Sequence, residues 1–148
     1  MERKLTIEII PDGCWKYNLR TVLPPKLWEF IKKDVKSTAN GVCSVCGKKT
    51  NRLEAHEKWD YDAKKGIIKL IDVVALCGDC HKATHMERTH VACKDEEIIR
   101  VEDHYMKVNG CSYAEYRADL GRANAKQKEL NKVGEWAMDI SYLKKYTL

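Results

Sequence analysis

The spacing of apolar positions along the chain switches repeatedly between the period of a strand and that of a helix. "KLTIEII", residues 4–10, alternates apolar and polar positions and ends on the turn signal "PDG", which predicts an opening strand. "PPKLWEFIKKDVKSTANG", residues 24–41, repeats Leu27, Ile31 and Val35 every four positions with Trp28 beside them. Its prolines suit a first helical turn and Asn40-Gly41 is a C-terminal stop, so a helix of about three to four turns is predicted. A strand near Arg52–His56, a polar loop at "DAKKG" and a β-branched strand through "IIKLIDVVAL" make a hairpin, and "HKATHMERTHV" then reads as a helix.

In the second half, Ile98, Val101, Tyr105 and Val108 keep helical spacing up to an Asn109-Gly110 stop. Ser112 and Glu115 form a capping-box pattern that opens a basic helix, "SYAEYRADLGRANAKQKEL". "EWAMDISYL" fits either a short strand or a helical turn. The pattern contains no repeat, low-complexity tract or linker. The expectation is one α+β domain over 1–148: an N-terminal strand and helix in 1–40, a hairpin–helix core in 41–90 and a helical extension of two helices in 91–148.

Composition narrows the class. The 148 residues carry a net charge of +5, with 33% charged and 44% hydrophobic residues, as expected of a soluble globular chain with a mild preference for polyanions. No apolar run approaches a membrane span, and "MERKLTIEII" lacks the apolar stretch and cleavage site of a signal peptide, so a cytoplasmic location without a membrane partner is expected.

Cysteine changes the picture most. Seven cysteines in such a chain, with two C-x2-C pairs, point to metal rather than to a disulfide framework. Cys43, Cys46, Cys77 and Cys80 match a two-knuckle zinc pattern, because the x2 spacing lets two thiolates from one tight turn meet the same ion. A structural zinc there would tie the preceding helix to the hairpin and helix that follow. Cys14, Cys93 and Cys111 have no paired spacing and read as core or surface thiols.

With the four thiolates spent on one tetrahedron, the histidines are left over. His81 and His85 lie four apart on a predicted helix and so share one face. His56, at the end of the first hairpin strand, is the third candidate. Three imidazoles with open coordination positions suit a catalytic divalent ion rather than a closed structural site. His90 and His104 have no such company and read as surface residues. "HEKWD" opens like the zinc-protease motif H-E-x-x-H but has Asp60 in place of the second histidine, which excludes that class.

"CSVCG…LEAHEKW…IDVVALCGDCHKATH" resembles the HNH, or ββα-metal, nuclease family in its four-cysteine zinc form. "CWKYNLR", "LPPKLWEF", "HEKWDYD", "CHKATH" and "VNG" are together similar to small bacterial and phage members of that family, a likeness spanning most of the chain. The resemblance implies a ββα-metal core and a metal-dependent endonuclease that hydrolyses phosphodiester bonds of nucleic acid, DNA by family analogy. It implies a catalytic ion such as Mg2+, Mn2+, Ni2+ or Zn2+ on His81, with His85 as an additional ligand. It puts Asp72 where the family has an asparagine, and an aspartate cannot donate an amide proton. It also leaves two registers open on the first strand: either His56 is a ligand and Glu57 the base, or His56 is the base supported by Glu54.

The basic residues Lys48, Lys49 and Arg52 after the first knuckle, and Arg117, Arg122 and Lys126 on the late helix, are the candidate phosphate contacts. Lys64, Lys65 and Lys128 add to them, and Trp59 or Tyr61 offers a stacking surface. The alternative to an enzyme is an HNH scaffold without efficient chemistry that binds nucleic acid, a nucleotide or a protein, as a phage-encoded inhibitor would. Neither a homodimer nor a protein partner is excluded by the sequence.

Overall fold

The computed structural model describes residues 2–146 and has an antiparallel hairpin at its centre. Strands β1 (Glu54–Asp62) and β2 (Ile67–Leu76) pair with His56 opposite Val74 and Lys58 opposite Asp72. The register then shifts between Lys58 and Trp59, so that Trp59 lies opposite Leu70. This bulge lets Leu70 and Val73, three apart, enter the same apolar cluster, which an unbroken strand of period two would forbid. Strand β3 (Ala137–Asp139) adds to β2 in parallel, with Ile67 opposite Ala137. The sheet order is β1-β2-β3, which makes β1 an edge.

Two helices, one short and one long, precede that strand. Helix α1 (Leu19–Val22) is capped by Asn18, whose side chain accepts from the Thr21 N–H. Helix α2 (Pro25–Ala39) starts on a proline at its first turn and ends on Asn40 in the left-handed conformation, as its spacing and stop signal predict. Its Trp28 and Ile31 pack against Leu70 and Val73 of β2.

After β2 the chain enters α3 (Gly78–Thr84) and α4 (Met86–Ala92). A single helix was the expectation for this segment. It breaks at His85, which lies between the two with φ −97° and ψ 50°. Helices α5 (Asp95–Asn109) and α6 (Tyr113–Leu130) follow at the predicted places, the second with both halves of its capping box formed. Tyr105 and Tyr116, both fully buried, join α5 and α6 to the cluster that holds Leu76, Cys77 and Cys80. The ambiguous segment "EWAMDISYL" turns out to be both options in succession, β3 and then a 3-10 turn over Ser141–Tyr146.

The predicted opening strand is not one. Residues 4–10 join no ladder: 4 and 5 form a bend and 6–10 carry no regular structure. Their backbone groups are taken elsewhere: the Leu5 N–H and C=O by the Asn109 amide at 3.0 and 2.9 Å, and the Glu8 N–H by the Thr84 carbonyl at 3.0 Å. Alternation there records one buried side, with Leu5 and Ile9 inside, and not sheet pairing. No helix among the described residues is long and apolar enough to cross a membrane.

The hairpin tip has little room. Gly66 has φ +66°, its carbonyl accepts from the Ala137 N–H at 2.8 Å, and a Cβ there would lie 2.8 Å from the Glu135 carbonyl oxygen. Gly110, with φ +60°, has open space around it. Left-handed backbone alone should make Gly110→Ala cost about 1–2 kcal/mol, and Gly66→Ala should cost clearly more in urea denaturation. Equal losses would show that β3 moves aside without penalty.

Candidate metal centres and the adjoining cavity

The first donor cluster is built from two tight turns. In the turn at 42–49 the Cys43 N–H donates to Lys48 O at 2.9 Å and the Gly47 N–H to Cys43 O at 3.1 Å, with Gly47 at φ +76°. The other turn is the strand-to-helix step at Cys77, the N-cap of α3. The sulfurs of Cys43, Cys46, Cys77 and Cys80 all lie within 4.8 Å of one another. Cys46 and Cys77 are 3.7 Å apart. That is far outside a disulfide bond of about 2.05 Å, and it matches the edge of roughly 3.8 Å that a tetrahedron of about 2.3 Å zinc–sulfur bonds requires. The four cysteines are thus positioned to bind one metal ion, and structural zinc fits the set.

Their electrostatics point the same way. Burial raises the Cys43 thiol, but backbone N–H groups of Cys77, Cys46 and Val45 aimed at its sulfur outweigh that and bring it down to about 7. Cys77 and Cys80 are pushed up, first by burial and then by the neighbouring thiolates. Four thiolates crowded together need a cation, and a dication supplies it. The His104 ring nitrogen lies 3.2 Å from the Cys80 sulfur. His104 is therefore not the bystander its isolated position suggested. Its α5 packs on α3, a tertiary fact with no trace in local spacing.

The second cluster gathers imidazoles. Ring centroids of His56 and His81 are 5.2 Å apart, those of His56 and His85 5.0 Å, and those of His81 and His85 4.9 Å. One ligand nitrogen from each lies within 4.8 Å of the others. His56 is only 3% exposed. His56 Nε2 pairs with Glu8 Oε1 at 2.9 Å and His81 Nδ1 with Glu54 Oε1 at 3.2 Å. Carboxylates on the outer nitrogens fix the tautomer of such rings and leave the remaining nitrogen for a cation. Burial, followed by the neighbouring His56 and His81, brings His85 down to about 3. Burial also lowers His81, partly offset by Glu54. Both rings stay uncharged at neutral pH, the form that ligates. Glu8 was not singled out in the sequence, since it belongs to a segment expected to be sheet.

Glu57 and Asp72 are placed differently. Next to His56 on the edge strand, Glu57 turns to the opposite face and accepts the Leu19 N–H at 2.8 Å. Burial raises its carboxyl, partly offset by that N–H and by His56. Asp72 accepts from the Tyr142 hydroxyl and from its own neighbour Val73, both at 2.8 Å. It does not line the cavity described next.

A cavity of about 780 Å³ runs along both faces of the β1 edge and reaches His56, Glu57, His81 and His85. Arg20, Lys32 and Lys36 line it from α1 and α2, and Arg88 and Lys126 from α4 and α6. Of the nine basic residues chosen from the sequence, Lys126 alone lines it. Lys48, Lys49, Arg52 and Arg117 are exposed elsewhere, and Arg122 pairs with Asp119. The signal for the others was legible: Trp28, Lys32 and Lys36 recur at every fourth position along α2. Trp59 and Tyr61, candidates for stacking, line the inner wall and also belong to the apolar clusters.

No family profile matches the chain, and neither does any curated protein or solved structure.

Purified protein should hold zinc through gel filtration, and Cys80→Ser should release it. The same variant should lose about 4 kcal/mol or more of stability in urea, the range expected when a structural metal is lost. Full zinc content and an unchanged midpoint in Cys80→Ser would remove the sulfur cluster from the account.

Proposed function

We propose that the chain is a metal-dependent endonuclease with an HNH, or ββα-metal, core that hydrolyses phosphodiester bonds of nucleic acid, DNA by family resemblance. One observation carries this reading: three imidazoles from β1 and the α3–α4 junction converge beside a cavity lined by arginine and lysine. A divalent ion such as Mg2+, Mn2+, Ni2+ or Zn2+ on those rings supplies charge to polarise the phosphate and stabilise the departing oxygen.

The rest is the work of the chain's own groups. His56, His81 and His85 are the holding set, and Glu8 and Glu54 orient the first two. A cysteine-bound zinc would fix the start of α3 and with it His81 on that helix and His85 at its end. Glu57 is the base in the register that makes His56 a ligand, and because it lines the cavity from the other face of β1 the attacking water must reach it round the strand edge. Burial raises its carboxyl, and the Leu19 N–H holds it in place. The rival register is disfavoured, because His56 already pairs with Glu8 and Glu54 is turned to His81. Asp72, bonded to Tyr142, has at most a positioning part.

The reading of an inactive binding scaffold draws on the same two acids: Glu57 is already engaged by a backbone amide, and Asp72 is bonded to Tyr142 and does not line the cavity. Plasmid nicking separates the two. With added divalent metal, wild type should nick, while His81→Ala should lose one bound metal equivalent but keep its zinc. Glu57→Gln should keep both ions and lose about 10²–10⁴-fold in rate, the usual contribution of a general base. Nucleic-acid binding without metal-dependent cutting in wild type would decide for the scaffold.

A further inference from the structure

The cavity has more in it than a cation and its holders require. Helices α2 and α3 lie against opposite faces of β1, because Ala55 joins the cluster of Trp28 and Ile31 while the next residue, His56, meets His81. The space along the edge therefore has two walls. On the α2 wall, Lys32 and Lys36 stand one and two turns beyond Trp28, with Arg20 of α1 also lining the cavity. On the other wall stand Arg88 and Lys126. Among the described residues, no carboxylate comes within ion-pair distance of Arg20, Lys36, Arg88 or Lys126, while Lys32 pairs only with its exposed neighbour Glu29 at 2.7 Å.

Two aromatic features accompany these charges. Trp15 lines the cavity and is 53% exposed, an unusual state for the largest apolar side chain. Trp28 also lines it and is 6% exposed, yet its indole N–H is the one buried side-chain donor or acceptor among the described residues without a partner. An orphan donor of this kind calls for an acceptor from outside the chain.

We infer that the cavity is a groove for one unpaired nucleic-acid strand, with phosphates following Arg20, Lys32 and Lys36 towards the histidines and a base stacked on Trp15. A basic channel combined with an exposed aromatic platform is the means by which single strands are held without regard to sequence. A duplex is a convex cylinder whose bases are shielded by its backbones, so it can offer neither a free base face to Trp15 nor an acceptor to a buried indole inside a two-walled cavity. The inference rests on the nuclease reading for the identity of the polymer, but it concerns binding and not cutting.

Fluorescence anisotropy without added divalent metal, where cutting is suppressed, tests it. The probes are a labelled 12-nucleotide single strand and the same strand annealed to its complement. The single strand should bind at least about 10-fold more tightly. Trp15→Ala should weaken it by about 5- to 100-fold, the range for losing one stacked base, with an unchanged circular dichroism spectrum. The Lys32→Ala/Lys36→Ala double variant should make the salt slope shallower by about 1.4, at roughly 0.7 per phosphate contact on a single strand. Equal or tighter binding of the duplex, or a Trp15→Ala affinity equal to wild type, overturns the groove. Cutting of duplex and single strand at equal rates would sink this inference and leave the nuclease standing, whereas strand binding without cutting of either would do the reverse.

Discussion

Four sulfurs confined within 4.8 Å set the position of everything that follows them in the chain. Without a cation, the raised thiols at Cys77 and Cys80 and the lowered one at Cys43 make opposing demands on the same small volume. A dication satisfies all of them at once. Because Cys77 caps α3 and Cys80 lies on its first turn, the cluster fixes both the origin and the rotation of a helix only seven residues long. His81 is the next residue. The nitrogen cluster is consequently placed by the sulfur cluster, with β1 supplying its third ring from across the gap.

Much of this was legible in the sequence because it depends on local spacing. The C-x2-C pairs fixed which sulfurs meet, and the i, i+4 interval of His81 and His85 fixed a shared face. The hairpin and the helices α2, α5 and α6 follow from period, proline and Asn-Gly signals that tertiary packing had no reason to override. What was not legible involves partners distant along the chain. Residues 4–10 have the alternation of a strand, but the Asn109 amide and the Thr84 carbonyl take their backbone groups. Glu8 reaches His56 across 48 positions and His104 reaches Cys80 across 24, and no periodicity encodes either meeting. The break at His85 was equally hidden, since neither glycine nor proline marks it.

The cavity shows how a modest net charge of +5 can still produce a strongly polar surface. The carboxylates near it, Glu8, Glu54 and Glu57, are engaged by histidines or by a backbone amide. The cations lie on the walls. The carboxylates are thus engaged while most of the wall cations have no carboxylate partner, which leaves a net positive potential on the cavity. Basic residues chosen by their density in the sequence, such as Lys48 and Lys49, lie outside this arrangement because density along the chain is not density in space.

The bulge opposite Lys58 has a bearing on how this chain can change length. One surplus residue between Leu70 and Val73 carries β2 from one facing to the other, with Ile71 turned out to solvent. Deleting that residue would invert the lining of every later position up to Leu76, sending Val73 and Ala75 outward just before the knuckle begins. Compensation could not come from swapping side chains, because the fault would be one of parity. Between Leu70 and Val73 the protein is held to a count of residues more strictly than to their chemistry.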